Sequence, residues 1–413
     1  MIYRQIGRLS LLLLLLAMTA CSSEDRQDVS DEQHCYLDIY VYSPDRPMVT
    51  RADIGYYSET EAEGAVHSLQ IWIFRHHDGE PLGYLEAAPT ATELSNGHQY
   101  RITVTPSIAE GNDRSVDVYV LSNVPSETYG LRLDRNSTRA YLDAAVIKDS
   151  YFGVSSLQKG VPDVGLPMSG VLKNAPVAGS YPALRIGTED HMSTVKLART
   201  VSKMRVVVCR IAADSNEPES SQLREIEYIQ INGGQIPNEE YLMLSEPFNA
   251  SLNPMDPFAG SRMHIKRTYG DDRDYETTAF SFGPLEPDDI PEADPLEYIY
   301  NSKKYPTPQH YEDAIIKAAH PTDGTDAKLK DLGVTYLRES DKKLEGEVKY
   351  TTKDGASKIV DFAMDRAGDF TRDHSWIVYV FFAGGKLQVF NVVQVGIKEW
   401  TTGKTEDHEV YNW

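Results

Sequence analysis

The stretch Cys35-Tyr36-Leu37-Asp38-Ile39-Tyr40-Val41-Tyr42 alternates strictly, with Cys35, Leu37, Ile39 and Val41 on one face and Tyr36, Asp38, Tyr40 and Tyr42 on the other. A period of two is the pattern of a strand with one buried side. Pro44 and Pro47 end it, since neither can donate to a ladder. Further runs of strand type follow in quick succession at residues 66–75, 98–105 and 115–122, separated by turn clusters such as Asp78-Gly79 and Glu110-Gly111-Asn112-Asp113. Short strands at this spacing point to an all-β sandwich architecture. A helical insertion is expected at 137–147, and a first domain is expected to close near residue 198.

A second set of strands is expected at 203–211, 225–232, 264–267, 277–282, 333–337, 345–351 and 357–363. Residues 284–308, rich in Asp, Glu and Pro, read as an irregular surface loop. Thr307-Pro308 reads as a cap and first turn for a helix over 309–319. The tail is the most regular part. A strand at 376–382, a tight turn at Ala383-Gly384-Gly385-Lys386, and a strand at 387–397 place Leu387, Val389, Val393, Val395 and Ile397 on one face. Trp400 follows, and the chain stops at Val410-Tyr411-Asn412-Trp413. A terminal apolar and aromatic segment frays unless something docks it.

The 413 residues carry 41 Lys and Arg against 62 Asp and Glu, a net charge of −21 that repels phosphate backbones and anionic lipid surfaces. This argues against a nucleic-acid partner. Tyr outnumbers Phe 25 to 11, an aromatic set suited to half-buried strands. Three Cys cannot build a disulfide framework. Motifs for zinc proteases, serine hydrolases, phosphate loops and dinucleotide binding do not occur in the sequence. His76-His77 is a poor chelating pair because neighbours on a strand face opposite ways. Asp271-Asp272-Arg273-Asp274 reads as a solvated acidic turn. Glu292, Asp294 and Glu297 are the carboxylates a glycosidase would need, though in so acidic a chain such clusters arise by chance. Cys209, inside an apolar run, reads as a buried thiol. No catalytic residue, metal site or cofactor is indicated, and the chain reads as a protein without enzymatic activity.

The start of the chain reads as a secretory signal. Arg4 and Arg8 precede an apolar run over 9–17 that is too short to span a bilayer, and Ala20-Cys21 closes it. A small residue before Cys suits a lipoprotein signal peptidase, so Cys21 is the expected lipidation site, carrying acyl chains such as palmitate. The acidic Ser22-Ser23-Glu24-Asp25 resembles the surface-export signature of Bacteroidetes lipoproteins.

Several motifs, in order along the chain, resemble the fimbrillins, or type V pilins, of Bacteroidales. Leu16-Ala17-Met18-Thr19-Ala20-Cys21 is similar to their lipoprotein start, Thr50-Arg51-Ala52 to an arginine cleavage site, and residues 66–74 to their first mature strand. Leu166-Pro167-Met168-Ser169-Gly170 resembles a motif near the end of their N-terminal domain, and residues 197–204 the link to the C-terminal one. Arg372-Asp373-His374-Ser375-Trp376 resembles their Arg-Asn-His-aromatic signature, with Asp373 in place of Asn. Glu399-Trp400 and Asn412-Trp413 are similar to their end. Residues 212–370 show only a general strand pattern.

The resemblance implies two transthyretin-like β-sandwich domains with short helical insertions, at 52–198 and 199–386. A signal peptide at 1–21 and a propeptide at 22–51 precede them, and a donor-strand segment at 387–413 follows. It implies a cell-surface fimbrium assembled by strand exchange from an outer-membrane lipoprotein precursor. An arginine-specific protease of the gingipain type cuts between Arg51 and Ala52, Arg46 being a poor rival ahead of Pro47. The strand bearing Leu37, Ile39 and Val41 leaves, and the segment with Leu387, Val389, Val393, Val395, Ile397, Trp400 and Trp413 of the next subunit replaces it. About five buried apolar side chains at roughly 1.5–3 kcal/mol each give on the order of 7–15 kcal/mol before ordering costs. Expected partners are other fimbrial subunits, the protease, the outer membrane through the lipid, and a host or bacterial surface ligand. The role implied is a stalk subunit. A tip subunit or adhesin of the same family is the alternative, and a surface glycan-binding protein or glycoside hydrolase is the alternative of another class.

Overall fold

The computed structural model describes residues 35–42, 61–89, 97–109, 114–148, 152, 160–213, 218–237, 239–243, 280–293, 328–364, 372 and 374–395. Within these residues the chain is all-β, with short helical turns such as Ser126–Tyr129 and Arg139–Ala144. Among them, no helix is long and apolar enough to cross a membrane.

The first ten strands are β1 (Cys35–Tyr42), β2 (Leu69–Arg75), β3 (Pro81–Ala87), β4 (His98–Val104), β5 (Ser115–Ser122), β6 (Val146–Lys148), β7 (Met168–Ser180), β8 (Ala183–Ile186), β9 (Thr194–Lys196) and β10 (Ala198–Arg199). All but β6 belong to one sheet, ordered β10-β7-β5-β2-β3-β4-β1-β8, with β9 also paired to β1. The long β7 pairs with β5 through its first part and with β8 through its end, so the path of hydrogen-bonded neighbours returns to β7. The alternation read in the sequence sorts side chains to the two faces. Leu69, Ile71, Ile73, Val116, Val118 and Val120 meet Leu37, Ile39, Val41 and Ile102 in one buried cluster. Trp72, Phe74, Tyr119 and Leu121 face the other way, into a cluster with Leu142, Ile147 and Leu166.

The remaining strands are β11 (Val201–Ile211), β12 (Leu223–Ile231), β13 (Glu239–Tyr241), β14 (Phe280–Phe282), β15 (Glu292–Ala293), β16 (Lys330–Arg338), β17 (Glu345–Thr352), β18 (Ser357–Ala363), β19 (His374–Ala383) and β20 (Lys386–Val395). One sheet runs β15-β11-β19-β20 with β16 on β11, and a second runs β14-β12-β17-β18. Met204, Val206, Val208, Trp376, Val378 and Val380 of the first meet Ile226, Ile229, Ile231, Val348 and Tyr350 of the second in a common cluster.

Besides the apolar cluster that Leu242, Met243 and Tyr336 share with Trp72 and Leu142, two features tie the described strands before residue 200 to those after it. β6 and β13 form an antiparallel ribbon, Val146 opposite Tyr241 and Lys148 opposite Glu239. Behind it Arg372 and Glu339, both almost fully buried, pair at 2.8 Å, and Arg372 also donates to the Tyr241 carbonyl at 2.8 Å. Glu240 is fully buried beside them, and burial pushes its carboxyl well above the ordinary range. The second feature is Glu63, whose carboxylate takes Lys203 Nζ at 2.8 Å and the Tyr336 hydroxyl, while its carbonyl accepts from Arg199 Nε at 3.1 Å.

Several expectations change. The helix expected over 137–147 is only Arg139–Ala144, capped by Thr138, which accepts from the Tyr141 N–H. Pairing of Val146–Lys148 with β13 outweighs local helix preference. Neither β3 nor most of β7 was expected from the pattern. In 284–308, the described part holds a turn of 3-10 helix at Pro287–Asp289 and the bridge strand β15. The expected helix 309–319, the strand 264–267 and Asp271 to Asp274 lie outside the described residues.

Candidate functional site

β1 is held on both sides. It runs antiparallel to β4, from Cys35 opposite Val104 to Val41 opposite His98. On its other side it runs parallel to β8, Tyr36 to Asp38 matching Ala183 to Arg185, and then parallel to β9, Tyr40 to Tyr42 matching Thr194 to Lys196. The Tyr36 N–H also donates to the Pro182 carbonyl at 2.8 Å. β9 can lie close over β7 because residue 170 is glycine: a Cβ there would meet Val195 Cγ1 at 2.5 Å and the Lys196 carbonyl oxygen at 2.6 Å. β1 thus occupies a slot one strand wide, lined by β4 on one side and by β8 and β9 on the other.

The floor of the slot is apolar. Cys35, Leu37, Ile39 and Val41 are each 0% exposed and pack among Ile102, Val104, Leu184, Ile186 and Val195. Burial raises the Cys35 thiol above its ordinary value. Cys35 and Cys209 are both free and buried.

The outer face of β1 carries a polar lock. Asp38 Oδ1 accepts from Arg101 Nε at 2.8 Å, and Oδ2 accepts from Arg101 Nη2 and from Gln99 Nε2, each at 2.8 Å. Both carboxylate oxygens are engaged in a fork, the geometry that makes arginine selective for carboxylates. The Arg101 guanidinium also lies 5.9 Å from the centre of the Tyr36 ring. Asp38 is only 9% exposed although it points away from the core, and its carboxylate stabilises the charged form of Arg101.

Of the residues singled out from sequence, Leu37, Ile39 and Val41 form the buried face of β1. Cys21, Arg51, Ala52, Ile397, Trp400 and Trp413 lie outside the described residues. Leu387 and Val389 stand in β20, which pairs with β19 of the same chain; Leu387 is buried and Val389 packs against the same core. Val393 and Val395 continue that strand, opposite Trp376 and His374. His76 Nδ1 lies 2.7 Å from Asp117, and His77 Nε2 lies 3.3 Å from Asp78. Burial would raise the Asp117 carboxyl, but the Asn174 N–H, His76, Lys173 and Arg139 together hold it below its ordinary value. Of the three carboxylates considered for glycosidase chemistry, Glu292 pairs with Arg210, and Asp294 and Glu297 lie outside the described residues. Among the described residues, no group of three or more His, Cys, Asp or Glu is gathered as a metal site. Sequence reasoning missed Gln99, Arg101 and the strands β8 and β9. The signal for the lock was the one charge set between Leu37 and Ile39.

No protein-family model and no curated protein matches the chain. Solved structures similar to it are fimbrial and cell adhesion proteins of Bacteroidales, the group that the sequence motifs resemble. A proposed cell adhesion protein from Parabacteroides distasonis is 14% identical, with a TM-score of 0.48, covering 87% of this chain and 96% of that one. The tip fimbrial protein Mfa3 from Porphyromonas gingivalis, with a C-terminal truncation, is 12% identical at a TM-score of 0.42, covering 87% and 99%. A fimbrilin from Porphyromonas gingivalis is 9% identical at 0.41, covering 88% and 97%.

Proposed function

We infer that the chain is a structural, non-enzymatic subunit of a surface fimbrium. It is exported as a lipoprotein precursor lipidated at Cys21, cut between Arg51 and Ala52, and polymerised by strand exchange. In this reading residues 52–198 and 199–386 are transthyretin-like β-sandwich domains and 387–413 supply the donor. The observation that carries it is the place of β1: a single strand, near the start of the chain, completes the closed path of the first sheet and contributes four fully buried side chains. Excising it opens a gap of about two inter-strand spacings, roughly 10 Å, between β4 and the β8 and β9 edge. Unpaired edges beside apolar pockets are a template for one added strand. The anchor at Glu63 keeps the new start of the chain attached after cutting. Because Leu387 and Val389 pack in the chain's own core, the hairpin of β19 and β20 serves as the root of the donor and the residues after Val395 make the insertion.

The test treats the lipidated precursor with an arginine-specific protease and looks for ladders of SDS-resistant oligomers. Arg51→Ala and truncation after Ile397 are both expected to abolish the ladder. Polymerisation that survives either change refutes the scheme. Antibody labelling along the shaft of intact fibres is the expected result for a stalk, and labelling confined to one end would assign the tip.

A further inference from the structure

We propose that the slot reads a carboxylate: Gln99 and Arg101 select a strand with Asp or Glu between two aliphatic residues, and that strand comes from another protein in preference to residues 387–413 of this one. The inference rests on the strand-exchange reading above and adds the chemistry of the partner.

The apolar floor is a weak discriminator. Cys35, Leu37, Ile39 and Val41 follow one another at every second position, so a slip of two residues keeps an apolar face on the core. The outer face removes that degeneracy. In the observed register Asp38 stands opposite Arg101 on β4, which binds its carboxylate, while Arg185 alongside it on β8 donates to the Thr188 and Glu189 carbonyls. A slip by two residues would bring Tyr36 or Tyr40 opposite Arg101, and neither offers a carboxylate to the fork. The fork is therefore a register pin, and an occupant without an acid at that point leaves Arg101 and Gln99 without their shared acceptor. The requirement can be checked against the proposed donor. The acids within 387–413 are Glu399, Glu406, Asp407 and Glu409, and none stands between two aliphatic residues; Gln394, between Val393 and Val395, offers only a neutral acceptor. Charge complementarity thus favours a foreign strand shaped like β1.

The experiment uses the chain cut after Arg51, freed of the released fragment by size exclusion in mild urea. Labelled peptides are titrated by fluorescence anisotropy: residues 35–42 with Cys35→Ser as parent, the same with Asp38→Ala, and residues 387–413. The Asp38→Ala peptide is expected to bind about three- to tenfold more weakly at low salt, the gap narrowing as salt rises. The 387–413 peptide is expected to bind more weakly than the parent. On Arg101→Ala protein, parent and Asp38→Ala peptides should bind alike. Arg101 is 60% exposed on its side chain, so this variant should fold, which the melting of the uncut chain checks. Equal binding of parent and Asp38→Ala peptides, or a gap that persists on Arg101→Ala protein, overturns the inference. Tighter binding by 387–413 overturns the preference for a foreign strand. Binding by no peptide refutes strand exchange itself, whereas binding without discrimination refutes only the reading of the carboxylate.

Discussion

Ile39→Ala tests whether β1 is held by its buried face. Ile39 is 0% exposed and sits opposite Tyr100, in the middle of the strand. The change removes three carbons from a closed pocket, about 2.4 kcal/mol of transfer free energy at ~0.8 kcal/mol per methylene. The residual cavity adds to this, for a total of about 2–5 kcal/mol. In the uncut chain the effect is local, because β1 remains covalently attached and rebinds. In the chain cut after Arg51, the fragment bearing β1 is held by noncovalent contacts alone, and the whole loss appears in its dissociation. A loss of 2 kcal/mol speeds release roughly 30-fold at 1.4 kcal/mol per decade, and larger losses proportionately more. The assay labels the fragment, cuts the chain, and follows the label leaving the protein in the presence of excess unlabelled peptide. Tyr40→Ala, on the outer face, is the control and should change the rate by less than threefold. A rate for Ile39→Ala equal to that control would refute the argument, since the pocket would then not be what holds the strand.

Three further outcomes follow from other parts of the structure. Asn123 is fully buried at φ 59°, accepting from the His67 N–H at 2.7 Å and donating to the Ala65 and Leu166 carbonyls at 2.7 and 2.9 Å; Asn123→Ala should cost about 2–5 kcal/mol by denaturant titration, and Asn123→Gly less, because glycine accepts that φ. Glu339→Gln leaves the Arg372 charge buried without its counter-ion and should cost about 3–5 kcal/mol, read as a lowered denaturation midpoint. Burial pushes the Cys209 thiol from an ordinary 9.0 up to about 12, so its contribution is constant below pH 9, where both folded and unfolded thiols are protonated. Above pH 9 the unfolded thiol ionises first, and the folded form loses stability relative to Cys209→Ala until about pH 12; a difference between the two proteins that stays flat across this window would refute it.

The parts of the fold that could be read in the sequence were those whose cause is local. β1, β5 and β18 have the bounds that alternation assigns to Cys35–Tyr42, Ser115–Ser122 and Ser357–Ala363. β7 was illegible because Gly170, Pro176 and Gly179, with Asn174 at φ 53°, punctuate it like a loop; two neighbouring strands impose its extended course. β3 begins at Pro81 with Gly83 inside it, and its pairing with β2, and at Gly83 with β4, makes it a strand. The apolar half of the slot was visible because Leu37, Ile39 and Val41 carry their own periodicity. The polar half was not. Asp38 looks like any solvent-facing acid on an edge, and the arginine that claims it lies 63 residues away, a pairing that only the folded sheet creates.

The two neighbours of β1 disagree in direction, and that has a consequence for anything built through the slot. Ladder bonds are perpendicular and paired on the antiparallel β4 side but slanted and evenly spaced on the parallel β8 side. A strand entering backwards would run parallel to β4 and antiparallel to β8, so it would replace both ladders and reproduce neither. In the strand-exchange scheme proposed above, each joint made in the slot would be vectorial, and a string of such joints would have unlike termini, one offering a vacant slot and the other an unplaced strand. Under that scheme filament length would become a matter of what is delivered to one terminus, and a single subunit with its slot sealed or its strand missing would act as a stopper there.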